Sequence, residues 1–152
     1  MLVDVGSTPK LSLEDADGAP VRLADFHEPV YLYFMRALSC AQCNAHVQQM
    51  SKNAAEFEAA HVKVVVAVPA TTAEAAAWRD KKGVPFPVVV GTEGSAHEEV
   101  GLMKKVFGAI QQSGGVLFDR DGVVRYAHAS TNPGASYNKA EVAAAIAALP
   151  AN

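Results

Sequence analysis

Three short, strongly apolar runs constrain this chain more than anything else in it: 29–35 (PVYLYFM), 62–70 (VKVVVAVPA, with Lys63 its one charged residue) and 85–90 (PFPVVV). A strand with one face in water alternates apolar and polar residues, so runs without alternation suit strands buried on both faces. Residues 40–60, between the first two runs, contain neither Gly nor Pro. There Val47, Met50, Ala54 and Phe57 recur at three- and four-residue steps, as the apolar face of a helix does. Between the second and third runs, Thr71 starts a segment with Glu74 three places on, Lys81 and Lys82 near its end and Gly83 as the stop. Those are helix boundary signals. Strands joined through helices run parallel, and such crossovers are right-handed.

The flanks add antiparallel strands. Residues 10–23 read as two short strands around the turn EDADGAP, and 114–129 as two strands joined at Asp121-Gly122. Residues 94–107 are expected to be helical with a break at Gly101, and 138–149 to form an Ala-rich helix stopped by Pro150. The order is therefore hairpin, β, α, β, α, β, α, β, β, α. It predicts an α/β, thioredoxin-like fold with a mixed central sheet and helices on both faces. The 152 residues suit one domain spanning 1–152. Thirteen basic against sixteen acidic residues, net −3, lack the basic bias of a nucleic-acid surface. The start shows no basic region followed by a long apolar run, and no apolar run could span a bilayer. The expectation is a cytoplasmic protein with no membrane and no nucleic-acid partner.

Cys40 and Cys43 are the only two cysteines, in SCAQC where the first buried strand gives way to the first long helix. Ser39 is expected as the N-cap, with Cys40 first in the helix and Cys43 deeper on the same side. Helix N-termini and C-x-x-C settings favour the thiolate, lowering a cysteine pKa from about 8.5 to roughly 3.5–7.5. Cys40 would then be the nucleophile and Cys43 the thiol that closes a disulfide with it. In a reducing compartment such a pair is catalytic or metal-binding before it is structural. Two rival readings stay open. The thiols are inert core residues, or they grip a soft metal such as Cu(I) or zinc, or report redox state, in a non-enzymatic module. Cys40, Cys43 and His46 form C-x-x-C-x-x-H, but Cys40 and His46 diverge and no further ligand pair completes a tetrahedral site. No metal or cofactor is therefore assigned. His46 is expected on the helix surface, Trp78 as an anchor of its helix on the sheet, and Tyr126 and His128 in packing roles.

VYLYFMRALSCAQCNAHV, followed by VKVVVAV, FPVVV and VLFDRDGVVRYAH, resembles the peroxiredoxin-like branch of the thioredoxin superfamily, the alkyl hydroperoxide reductase/thiol-specific antioxidant or redoxin domains. The likeness runs from about Pro9 to Leu149. It implies a thiol-dependent oxidoreductase that reduces hydroperoxides or disulfides. Cys40 matches the attacking cysteine, Cys43 its partner and Arg36 the arginine of the same stretch; these three are the candidate catalytic residues. The resemblance also implies regeneration by a thioredoxin- or glutathione-type reductant, and a homodimer. The sequence departs from the pattern at Tyr33 and Ala37, where typical peroxiredoxins carry Pro and Thr. Their second arginine has no counterpart in QQSGGVLF. Ser113-Gly114-Gly115 stands where a thioredoxin would carry its cis-proline.

Overall fold

The computed structural model describes residues 1–150. The elements run β1 (Leu13–Asp15), β2 (Pro20–Val21), a 3-10 turn at Leu23–Phe26, β3 (Val30–Phe34), α1 (Ala41–Lys52), α2 (Ala54–Ala59), β4 (Lys63–Ala67), α3 (Thr72–Lys82) and β5 (Val88–Gly91). There follow α4 (Ala96–Glu99), β6 (Lys104–Lys105), β7 (Ile110–Gln111), β8 (Ser113–Phe118), β9 (Val124–Ser130), a 3-10 turn at Pro133–Ala135 and α5 (Lys139–Ala147). The main sheet has seven strands in the order β2-β1-β5-β4-β3-β8-β9. The three apolar runs form its centre: β3 is parallel to β4, and β4 to β5. β8 pairs antiparallel with β3 and β9 with β8, as the Asp121-Gly122 turn requires.

All five residues of β3 are buried, which explains the missing alternation. Tyr31 and Tyr33 face one core together with Val64, Val66, Val88 and Leu117. Val30, Leu32 and Phe34 face the other with Val65, Val89, Val116 and Phe118. The helices divide unevenly between these faces. α1, α2, α3 and α5 place Val47, Met50, Phe57, Trp78 and Val142 in the first core. The second is closed by Ala96 of α4 and by residues of the N-terminal segment and the first 3-10 turn, such as Leu2, Leu23 and Phe26.

Two expectations need correction. The helix expected over 40–60 breaks at Asn53 (φ −101°, ψ 15°), which ends α1 and begins α2. The helix expected over 94–107 survives only as α4, and a small β6–β7 hairpin follows. Gly101 takes φ +82°, and a Cβ there would sit 1.8 Å from the Met1 carbonyl oxygen. The N-terminal segment lies against this turn, with the Val3 amide donating to the Val100 carbonyl (2.9 Å), and a continuing helix would collide with it. By contrast, α3 carries the full capping box at Thr71 and Glu74 and ends in left-handed Gly83, as its sequence signals.

Candidate active site

The site forms where the chain leaves the C-terminal end of β3. The Met35 amide still donates to the Ala67 carbonyl of β4 (3.0 Å), extending the sheet by one residue. The chain then turns, with the Cys40 amide donating to the Ala37 carbonyl (3.1 Å), and α1 begins. Cys40 itself is the N-cap (φ −68°, ψ 108°), and Ser39 is exposed, so the cap falls one residue later than its chemistry suggested. The Cys40 sulfur does the work that a serine hydroxyl would: it accepts the Cys43 amide at 3.2 Å. The free N–H groups and dipole of the helix start therefore bear on this sulfur and stabilise negative charge that builds there.

The second sulfur is held in a matching way. Cys43 Sγ accepts the Arg36 amide at 3.4 Å, so each thiol receives one backbone donor from the same loop–helix junction. Both cysteines are free, with Cys40 2 % exposed and Cys43 fully buried. Burial pushes the Cys43 thiol up to about 11, and the neighbouring Cys40 adds to the effect; the Arg36 amide and the Tyr33 hydroxyl oppose it. The difference in depth expected of the pair is real but small.

Asn44 braces the loop. Its side-chain amide donates to the Leu38 carbonyl (2.9 Å) and the Cys40 carbonyl (2.8 Å), while its oxygen accepts the Trp78 indole N–H (2.8 Å). Trp78 thus anchors α3 as expected and in addition ties it to the cysteine loop. On the opposite side, Tyr33 is buried, and burial followed by the nearby Cys43 raises its hydroxyl pKa. Ser136 Oγ donates to the Pro133 carbonyl (2.7 Å) and lies 2.8 Å from the Tyr33 hydroxyl. His46 is half-buried, unlike the surface residue expected. Its Nε2 meets the Pro133 carbonyl at 3.0 Å, and its ring stands edge-on to Tyr33 and Tyr137 at centroid distances of 6.1 and 5.7 Å. Burying its ring against two tyrosines is what takes it off the surface.

Arg36 contributes its amide to Cys43, and its half-buried side chain forms no ion pair among the described residues. Its Nε is buried without a partner. Ser113 Oγ is buried and likewise unpartnered. Strand alternation puts Ser113 on the face of Leu117, which pairs with Tyr31 in the cysteine-side core. Among the described residues no group of three or more His, Cys, Asp or Glu side chains could hold a metal ion. The two thiols named from sequence come together at this junction with the Arg36 amide beside them, and Asn44, Tyr33 and Ser136, which sequence reasoning did not single out for the site, line it as well. The two tyrosines of β3, Tyr31 and Tyr33, were the one signal, and nothing in the sequence says which of them lies nearer the thiols.

The AhpC/TSA family model matches residues 6–127. A Mycobacterium tuberculosis (strain H37Rv) protein named as a peroxiredoxin is 31% identical over 124 residues, covering 76% of this chain and 78% of that one. The chloroplastic peroxiredoxin Q of Sedum lineare is 27% identical over 125 residues, covering 81% and 67%. Among solved structures, peroxidoxin BcpB from Mycobacterium tuberculosis superposes with a TM-score of 0.81 at 20% identity, covering 97% of this chain and 98% of that one. At that identity the likeness bears on the fold, which is the thioredoxin-like arrangement expected.

Proposed function

This chain belongs to the AhpC/TSA family and is a peroxiredoxin-like thiol-dependent oxidoreductase, and from that premise we propose how its residues divide the work. Cys40 is the nucleophile. Its thiolate attacks one peroxide oxygen: an S–O bond forms, the O–O bond breaks, and the departing oxygen takes a proton and leaves as alcohol or water. Cys40 is now a sulfenic acid. Cys43 loses its proton and attacks that sulfur; the S–S bond forms, the S–O bond breaks, and the oxygen leaves as water. Two electrons and two protons from an external thiol reductant, of thioredoxin or glutathione type, restore the dithiol. A protein disulfide can oxidise the same dithiol by exchange, with hydroperoxide as the favoured substrate.

The observation that carries this reading is the pair of backbone donors, Cys43 N–H to Cys40 Sγ and Arg36 N–H to Cys43 Sγ, which hold two reduced thiols at one helix start. The Arg36 side chain, with a buried and unpartnered Nε, supplies positive charge toward the oxygen that departs. For the metal-binding alternative, no third His, Cys, Asp or Glu side chain among the described residues joins the two thiols in a group that could hold a metal ion. A reducing compartment such as the cytoplasm would supply the reductant, and no helix among the described residues is long and apolar enough to cross a membrane. A homodimer and a single domain over 1–152 belong to the same reading.

The test is peroxide consumption with a thiol reductant by wild-type protein, Cys40→Ser and Cys43→Ser. Cys40→Ser should lose activity by at least a hundredfold. With the reductant left out, Cys43→Ser should consume one equivalent and stop as a sulfenic acid that dimedone traps. Equal activity of Cys40→Ser and wild type would overturn the assignment.

A further inference from the structure

We propose that His97 is a positioning residue for Cys43, acting through the peptide group that joins Met35 to Arg36. The inference deepens the dithiol reading above and rests on it for its kinetic consequence. That one peptide group is used at both ends. Its carbonyl, on Met35, meets His97 Nε2 at 2.6 Å, and its N–H, on Arg36, donates to Cys43 Sγ at 3.4 Å. His97 is fully buried in α4 and stands edge-on to Phe34, at 5.2 Å between ring centroids, so it approaches from the face opposite the cysteines. The peptide carries its influence across the end of the sheet.

The chemistry of the ring fixes which nitrogen bears the proton. A carbonyl oxygen only accepts, so the short contact requires hydrogen on Nε2. Nδ1 is buried with no partner. A proton there would be a stranded donor and would leave two lone pairs facing each other at Met35. The neutral Nε2–H tautomer is therefore the one that fits. Burial holds the ring's pKa down to about 4, partly offset by the Met35 carbonyl, and Lys104 is the charged group that acts on it. His97 thus stays a neutral donor near pH 7. A donor on a carbonyl polarises the amide and strengthens its N–H as a donor in turn. It also fixes the plane of the peptide at the point where the chain leaves β3 for the cysteine loop. The bond to the Cys43 sulfur is strongest when that sulfur carries charge, the state Cys43 must reach to attack the Cys40 sulfenic acid.

Two kinds of measurement decide this. In wild-type protein, imidazole ¹⁵N NMR should show His97 as the Nε2–H tautomer; the Nδ1–H tautomer would overturn the proposal without any variant. In His97→Phe the Arg36 amide proton should move upfield, and disulfide formation from the Cys40 sulfenic acid should slow roughly tenfold, the scale of one lost hydrogen bond. The slowing should fall on that step more than on the oxidation of Cys40, so dimedone captures more sulfenic acid. His97→Gln, which returns an N–H donor, should restore the amide shift and most of the rate. An unmoved Arg36 amide with an unchanged rate would refute the idea, as would equal slowing of both steps. If the wild-type protein formed no sulfenic acid at all, the peroxidase reading would fall, and the Arg36 shift and the tautomer would still judge His97. If His97→Phe does not fold, the wild-type tautomer and the Gln variant decide.

Discussion

At the scale of single residues the two thiols of the proposed cycle differ in their donors more than in their depth. Cys40 takes its amide from the first turn of its own helix, whereas Cys43 takes its amide from the loop and sits fully buried, with its pKa at about 11. That value has a kinetic sign. Below pH 11 the thiolate fraction of Cys43 grows about tenfold per pH unit. Disulfide formation after a single turnover should therefore accelerate as pH rises from 7 toward 10, visible by stopped flow through the chain's one tryptophan. A rate flat over that range would mean that proton loss from Cys43 does not limit the step. Both cysteines were legible from spacing and position alone. The contribution of Arg36 was legible only in part, because its backbone amide, which no sequence pattern distinguishes, makes the contact with sulfur. Asn44 and His97 were hidden for a related reason: Asn44 joins carbonyls of its own loop to the distant Trp78 indole, His97 meets a carbonyl of a strand end far away in sequence, and residue type carries no record of either.

At the scale of elements, the cysteine loop is held less by its own turn than by Asn44, which joins the carbonyls of Leu38 and Cys40 to the Trp78 indole. Asn44→Ala removes these three bonds and leaves the indole N–H without its acceptor, at a cost of about 2 kcal/mol. It should also shift Trp78 emission to the red and slow the reaction of Cys40 with peroxide. Normal peroxide kinetics in a variant destabilised by that amount would confine Asn44 to a structural part. The strands and α3 were readable because their signals are local: apolar runs, a capping box and a terminal glycine. The segment 94–107 was not. Its helix is cut short by contact with the N-terminal residues, and that contact spans nearly a hundred positions of sequence.

At the scale of the molecule, one sheet divides two cores, and β3 borders both. Neither core exists without that strand, so both should be lost together. Trp78 emission and far-ultraviolet circular dichroism should give coincident denaturant transitions; two separated midpoints would split the chain into independent units. Gly115 offers a perturbation of the same strand, since a Cβ there would lie 2.0 Å from the Tyr31 hydroxyl. Gly115→Ala should cost about 1–3 kcal/mol and keep the two probes coincident. The overall architecture was readable because strand–helix–strand order and handed crossovers leave few topologies. How the helices divide between the faces was not, since that depends on the order of strands within the sheet.

The helix cap that is also the proposed nucleophile has a consequence of its own. Once the Cys40 sulfur is bonded to Cys43, its electron density is drawn into that bond and it becomes a poorer acceptor for the amide it had been holding. In the proposed cycle the first turn of α1 then loses much of the side-chain acceptor that caps it. An oxidised molecule would then differ from a reduced one in the cap of this helix, at the spot a reductant has to reach.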